Sequence, residues 1–100
     1  MQASLDTLVS SLCADYARRS ELIQKGGISR RVETELRYLN AKIIDATLEF
    51  CNDAELDSFI IEIGDSIGYA NSALEYMSES TYKRKKRDIK ENIAKRLYLV

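Results

Sequence analysis

Apolar residues recur at intervals of three and four along most of the chain, the spacing of helices that bury one face. Leu5, Leu8, Val9, Leu12 and Tyr16, with Leu22 and Ile23 further on, predict a helix over residues 4–25. Ser4 suits its start, and Gly26-Gly27 suits its end because glycine accepts the left-handed backbone that closes helices. Val32, Leu36, Leu39, Ile43, Ala46 and Phe50 give a second helix over residues 29–50, with Ser29 as cap. Arg30 and Arg31 then stand in its first turn, where positive charge opposes the helix dipole. Asn52 and Glu55 have the spacing of a capping box. They precede a third helix to about residue 67 with Leu56, Phe59, Ile60, Ile63 and Ile67 inward. Gly64 inside it should cost roughly 1 kcal/mol relative to alanine, a cost that close helix packing would explain.

Gly68-Tyr69 interrupts the pattern. A short fourth helix is expected over residues 70–76, turning Ala70, Ala73, Leu74 and Met77 inward. Ser78 is placed to cap a last helix running to about residue 97, with Glu79 in its first turn. The expected fold class is all-α: about five helices in one compact bundle over residues 1–100, its last part (residues 64–97) a C-terminal helix-turn-helix.

Composition supports this picture and narrows the chemistry. The 100 residues include no proline and four glycines, as suits a helical chain. There is no histidine, the residue on which general-base catalysis and metal sites most often depend. No nucleophile–base pair, phosphate loop or metal-ligand spacing is present. No catalytic residue, metal or cofactor is expected, and the chain does not read as an enzyme. Asp45 and Glu49, four apart on the second helix, read as surface charge. Cys13 and Cys51 lie among apolar neighbours without a CxxC pattern and read as reduced core thiols. No apolar run reaches the length of a membrane span, and Met1-Gln2-Ala3-Ser4 does not resemble a secretory leader. A cytoplasmic location and no membrane partner are the expectations.

Charge adds the most. The net charge is −1, yet residues 1–78 carry seven Lys/Arg against thirteen Asp/Glu, and residues 79–100 carry eight against three. On a helical wheel Tyr82, Ile89, Ile93 and Leu97 form one edge of the last helix. Ser80, Arg84, Arg87 and Glu91 lie opposite, flanked by Lys83 and Lys90. An anchored edge with a basic outer face suits a helix that enters the major groove, where lysine and arginine neutralise phosphates and arginine can pair with guanine. Neutralising about five phosphates would give log affinity against log salt a slope near −4.5. The same run also reads as a solvated face, as a counterweight to the acidic remainder, or as a surface for a membrane or an acidic protein. The apolar edge, if it belongs to the core, argues against a membrane-surface helix.

Gly68-Tyr69, Ala73-Leu74 and Met77-Ser78-Glu79-Ser80-Thr81-Tyr82-Lys83-Arg84 resemble the end of a sigma-factor region-4-like helix-turn-helix. In that family Ser-x-x-Thr opens the recognition helix. With Tyr after Thr and a basic run following, the segment is similar to small phage and mobile-element transcriptional regulators of the ArpU and RinA type. The resemblance covers about residues 55–97. It implies a DNA-binding regulator of transcription that contacts double-stranded DNA through Ser80, Lys83, Arg84 and Arg87. Thr81 would bond a phosphate, and Lys85, Lys86 and Lys90 would add phosphate contacts from the flanks. The acidic N-terminal helices would dock RNA polymerase or another protein, and a homodimer would read paired half-sites. The competing expectation is a helical interaction or assembly module that dimerises through the first two helices and ignores DNA.

Overall fold

The computed structural model describes residues 1–100 and contains helices and no strand. The helices are α1 (Ala3–Ala14), α2 (Tyr16–Lys25), α3 (Arg30–Leu48), α4 (Leu56–Gly64) and α5 (Glu79–Arg96), with one 3-10 turn at Tyr69–Asn71. The all-α class is as expected, but the five helices are not the five expected. Counting α1 and α2 as one interrupted helix leaves four.

The first difference is the break at Asp15. The Arg19 guanidinium reaches back 2.5 Å to the Leu12 carbonyl and closes the end of α1. Its Nε donates to Asn40 Oδ1 on α3 at 2.6 Å. Asn40 in turn donates to Ser20 Oγ at 3.1 Å. A buried arginine thus turns the chain and ties α2 to α3. With the turn made, α1 lies along α4 while α2 pairs with α3.

The second difference is the end of α4, which stops at Gly64 rather than near residue 67. Ser66 adopts a left-handed φ of 54°. The Ile67 N–H reaches the Glu62 carbonyl at 2.9 Å and the Ser66 N–H the Ile63 carbonyl at 3.4 Å, the pairing of a Schellman closure. α5 ends the same way, with Tyr98 at φ 57° and the Leu99 N–H on the Ala94 carbonyl at 2.8 Å.

The third difference corrects the short fourth helix. Residues 70–76 do not form an α-helix, so the tight helix-turn-helix drawn over residues 64–97 lacks its first helix. Side chains take the backbone groups that a helical ladder would have used. Glu62 accepts the Ala73 N–H at 3.0 Å and Ser72 Oγ the Leu74 N–H at 2.8 Å. The Tyr69 hydroxyl lies 2.8 Å from the Glu75 carbonyl and 2.6 Å from that of Met77. Ser72 competes locally, as short polar side chains do, whereas Glu62 and Tyr69 act from farther along the chain.

The core is one cluster of twelve buried side chains, among them Val9, Cys13, Ile43, Phe59, Ile60, Ile63, Tyr82, Ile89 and Ile93. α5 contributes four of them and packs on α1, α3 and α4. Gly64 sits where α1 crosses α4. A Cβ there would stand 2.6 Å from the Ala14 nitrogen, so the glycine is needed for the close approach.

Candidate nucleic-acid interface

α5 begins where the sequence places it. The Ser78 Oγ accepts the Thr81 N–H at 3.2 Å and donates to Thr81 Oγ1 at 2.8 Å. Capping therefore occupies the Ser78 hydroxyl, while Thr81 Oγ1 accepts from it and keeps its own proton to donate. Glu79 in the first turn pairs with Lys83 at 3.0 Å across one turn of exposed surface.

The helix is held by Tyr82, whose ring is buried. It stacks on Phe59 at 5.9 Å and meets Tyr69 at 5.6 Å, centroid to centroid. Its hydroxyl donates to the buried carboxylate of Glu62 at 2.7 Å. Burial first, and then this carboxylate, push the phenol up to about 12. Tyr82 therefore stays a neutral donor at any physiological pH.

The eight expected contact residues separate into two groups. Ser80, Lys83, Arg84 and Arg87 are exposed on one side of the helix. Arg84 has no ion-pair partner, and Arg87 meets only its neighbour Asp88 at 3.4 Å, with its side chain 64% exposed. Thr81, Lys85, Lys86 and Lys90 are half-buried, and the three lysines are engaged within the fold. Lys85 lies 3.8 Å from Glu55, in the turn before α4. Lys86 donates to the Ile67 carbonyl at 2.5 Å and lies 5.5 Å from the Tyr82 ring centroid. Lys90 pairs with Asp6 of α1 at 3.1 Å. Burial, and then the charge of Lys90, lower the Lys86 pKa below its ordinary value. Lys86 follows Tyr82 by four residues, so it lies on the same edge of the helix. That spacing was the signal for its inward role. The partners Asp6 and Glu55 are distant in sequence and gave none.

Charge elsewhere is also distributed differently from the simple halves. Residues 16–40 carry six Lys/Arg against three Asp/Glu, whereas residues 41–78 carry one against eight. The acidic surface thus belongs to the end of α3, to α4 and to the following loop, and the α2–α3 hairpin is basic. No helix is long and apolar enough to cross a membrane. No group of three or more Cys, Asp or Glu side chains is arranged to hold a metal. No family model, curated protein or solved structure matches the chain.

Proposed function

We propose that the protein binds double-stranded DNA through the exposed basic face of α5, as a transcriptional regulator of the phage and mobile-element kind that the resemblance implies. The observation that carries this reading is the exposed guanidinium pair. Arg84 and Arg87 stand one turn apart, exposed and without a carboxylate on another element, on a helix anchored from behind by Tyr82, Ile89 and Ile93. Ser80 and Lys83 extend the face toward the helix start. From Ser80 to Arg87 the face rises about 10 Å, the length of about three base pairs at 3.4 Å each. The helix would be offered to the groove by α4 and the long loop after it, not by a tight two-helix turn. The acidic surface of residues 41–78 is the place for a protein such as polymerase to dock.

The engaged lysines change the quantitative expectation. At most three cations remain to neutralise phosphates: Arg84, Arg87, and Lys83 if it leaves its exposed Glu79 pair. The slope of log affinity against log salt is then no steeper than about −2.7, rather than −4.5. A gel-shift salt series with random duplex DNA measures it. Substituting Arg84 and Arg87 together by alanine should weaken binding and flatten the slope by about 1.8, with an unchanged helical spectrum. Equal affinity in the double variant would refute the assignment of this face. A protein that shifts no DNA even at low salt would favour the second reading, an interaction module, for which the uncovered apolar stripe of the α2–α3 hairpin speaks.

A further inference from the structure

We infer that the α2–α3 hairpin is a self-association surface, covered in solution by the same hairpin of a second copy. This inference is independent of DNA binding. Its starting point is a mismatch between pattern and burial. The apolar stripe of α3 runs unbroken from Val32 through Leu36 and Leu39 to Ile43 and Ala46, yet only Asn40, Ile43, Ala46 and Thr47 are buried. The first ten residues of α3 bury nothing, and α2 buries only Arg19. Residues 17–38 therefore form two helices in a single layer, with Val32 41% exposed and Leu22, Ile23 and Leu36 only half-buried; Tyr16 and Leu39, at the root, pack on the core. A helix ten residues long is marginal without packing on its apolar face, and stable domains place a second layer against such a face. Behind the hairpin root that layer is α1, α4 and α5; beyond the root this chain supplies none.

A second copy fits the missing layer by size and by charge. The uncovered stretch of α3 from residue 30 to residue 38 is about 14 Å long, and two helices side by side are about 20 Å wide. That footprint is about 300 Å² on each copy, about 600 Å² in total before side-chain relief, which is the size of a weak, transient interface. The margin of the stripe carries both signs in order, Arg31 and then Glu35, which pair within the helix at 3.5 Å. An antiparallel copy reverses that order, so that each Arg31 faces the Glu35 carboxylate of the other chain. A two-fold axis produces such a self-complementary arrangement. The interface would be modest and polar-rimmed, and its dissociation constant would fall in the micromolar range.

Sedimentation equilibrium without DNA, from 5 to 500 μM (about two decades around that affinity), tests the inference. Wild type should move from one chain mass, 11.4 kDa, toward twice that value. Val32→Glu should stay at one chain mass with an unaltered helical spectrum, because Val32 is exposed in the single chain. Leu8→Glu serves as the contrast. It alters the other open apolar groove, lined by Met1, Leu5, Leu8, Ala94, Leu99 and Val100, and should associate like wild type. A wild type that stays at one chain mass throughout would overturn the inference without any variant. So would association that survives Val32→Glu or is lost in Leu8→Glu. Arg31→Glu, which places like charges opposite each other, should weaken association, and Arg31→Glu with Glu35→Arg should restore it. The double exchange keeps the antiparallel pairing, so failure of that rescue would also overturn the antiparallel register.

Discussion

Replacing Gly64 by alanine should destabilise the protein even though alanine is the better helix former. In an isolated helix the change would gain up to about 1 kcal/mol, and less in the last turn, where Gly64 stands. Against this, the new Cβ would lie 2.6 and 2.7 Å from the nitrogen and Cα of Ala14 and 2.9 Å from the carbonyl carbon of Cys13. Ordinary carbon contacts are about 3.5–4.0 Å, so α1 would have to retreat by roughly 1 Å. The obstacles are backbone atoms, and no rotamer change relieves them. Overpacking of this kind costs about 1–3 kcal/mol. The net loss should be about 1–2 kcal/mol, or a fall in Tm of roughly 5–15 °C for a domain of this size. Urea unfolding followed by far-UV circular dichroism measures it. Gly68→Ala is the internal control: its Cβ meets nothing within 4 Å and its φ of −85° suits any residue, so it should be neutral or stabilising by a few tenths of a kcal/mol. A Gly64→Ala protein as stable as wild type would mean that α1 and α4 do not approach as described, and the α1–α4 packing would have to be redrawn.

Ser66→Gly should stabilise by about 1 kcal/mol, because Ser66 holds a left-handed φ of 54° that costs a side-chain-bearing residue roughly that much; a loss of stability would contradict the Schellman closure. Tyr82→Phe should cost about 1–3 kcal/mol by leaving the buried Glu62 oxygen without its donor. The raised Tyr82 pKa also fixes a pH dependence. Its contribution is complete below the ordinary tyrosine value of about 10 and is lost as pH rises toward 12. The alkaline decline of wild-type stability in that window should therefore be shallower in Tyr82→Phe, and an equally steep decline would exclude Tyr82 as its cause. Burial pushes the Cys13 thiol up to about 12; burial and then Glu55 raise that of half-buried Cys51. With a thiol reagent at pH 8, Cys51 should react slowly and Cys13 only at the rate of unfolding. Equal rates at the two sites would contradict the buried position of Cys13.

Features set by a few neighbouring residues were legible in the sequence. Ser29 and Ser78 cap α3 and α5 as expected. Asn52 and Glu55 exchange backbone bonds at 3.0 and 3.2 Å as a capping box. Gly26 and Gly27 take left-handed φ values of 71° and 79°, and Gly64 marks the tight crossing. What escaped the sequence depends on partners far along the chain. The break at Asp15 needs Arg19 to find Asn40, twenty-one residues later. The loss of helix over residues 70–76 needs Glu62, which reads as an ordinary surface acid until Tyr82 and Ala73 are brought to it. Apolar periodicity marks which face of a segment is inward, but not where a polar side chain will take over the backbone.

The basic run of α5 follows the same division. Read as composition, residues 83–90 are one cationic surface. On the folded helix, consecutive residues point 100° apart, so one run must serve several faces. Lys86 is carried by the Tyr82 edge against the loop after α4, and Lys85 and Lys90 lie at the two flanks where the turn before α4 and helix α1 offer Glu55 and Asp6. These lysines tie α5 to the rest of the fold, Lys85 and Lys90 through carboxylates and Lys86 through a backbone carbonyl. Arg84 and Arg87, on the side that no other helix covers, have no such partner. The choice of arginine at these two positions and lysine at the engaged ones agrees with the division: a planar guanidinium suits paired hydrogen bonds to a base edge or phosphate, and a compact ammonium suits a single carbonyl or carboxylate. Exchanging Arg84 and Arg87 for lysine keeps the charge and the salt slope but removes the fork. If the face reads bases, discrimination between duplex sequences should fall while non-specific affinity persists; if both are unchanged, the face contacts phosphates alone.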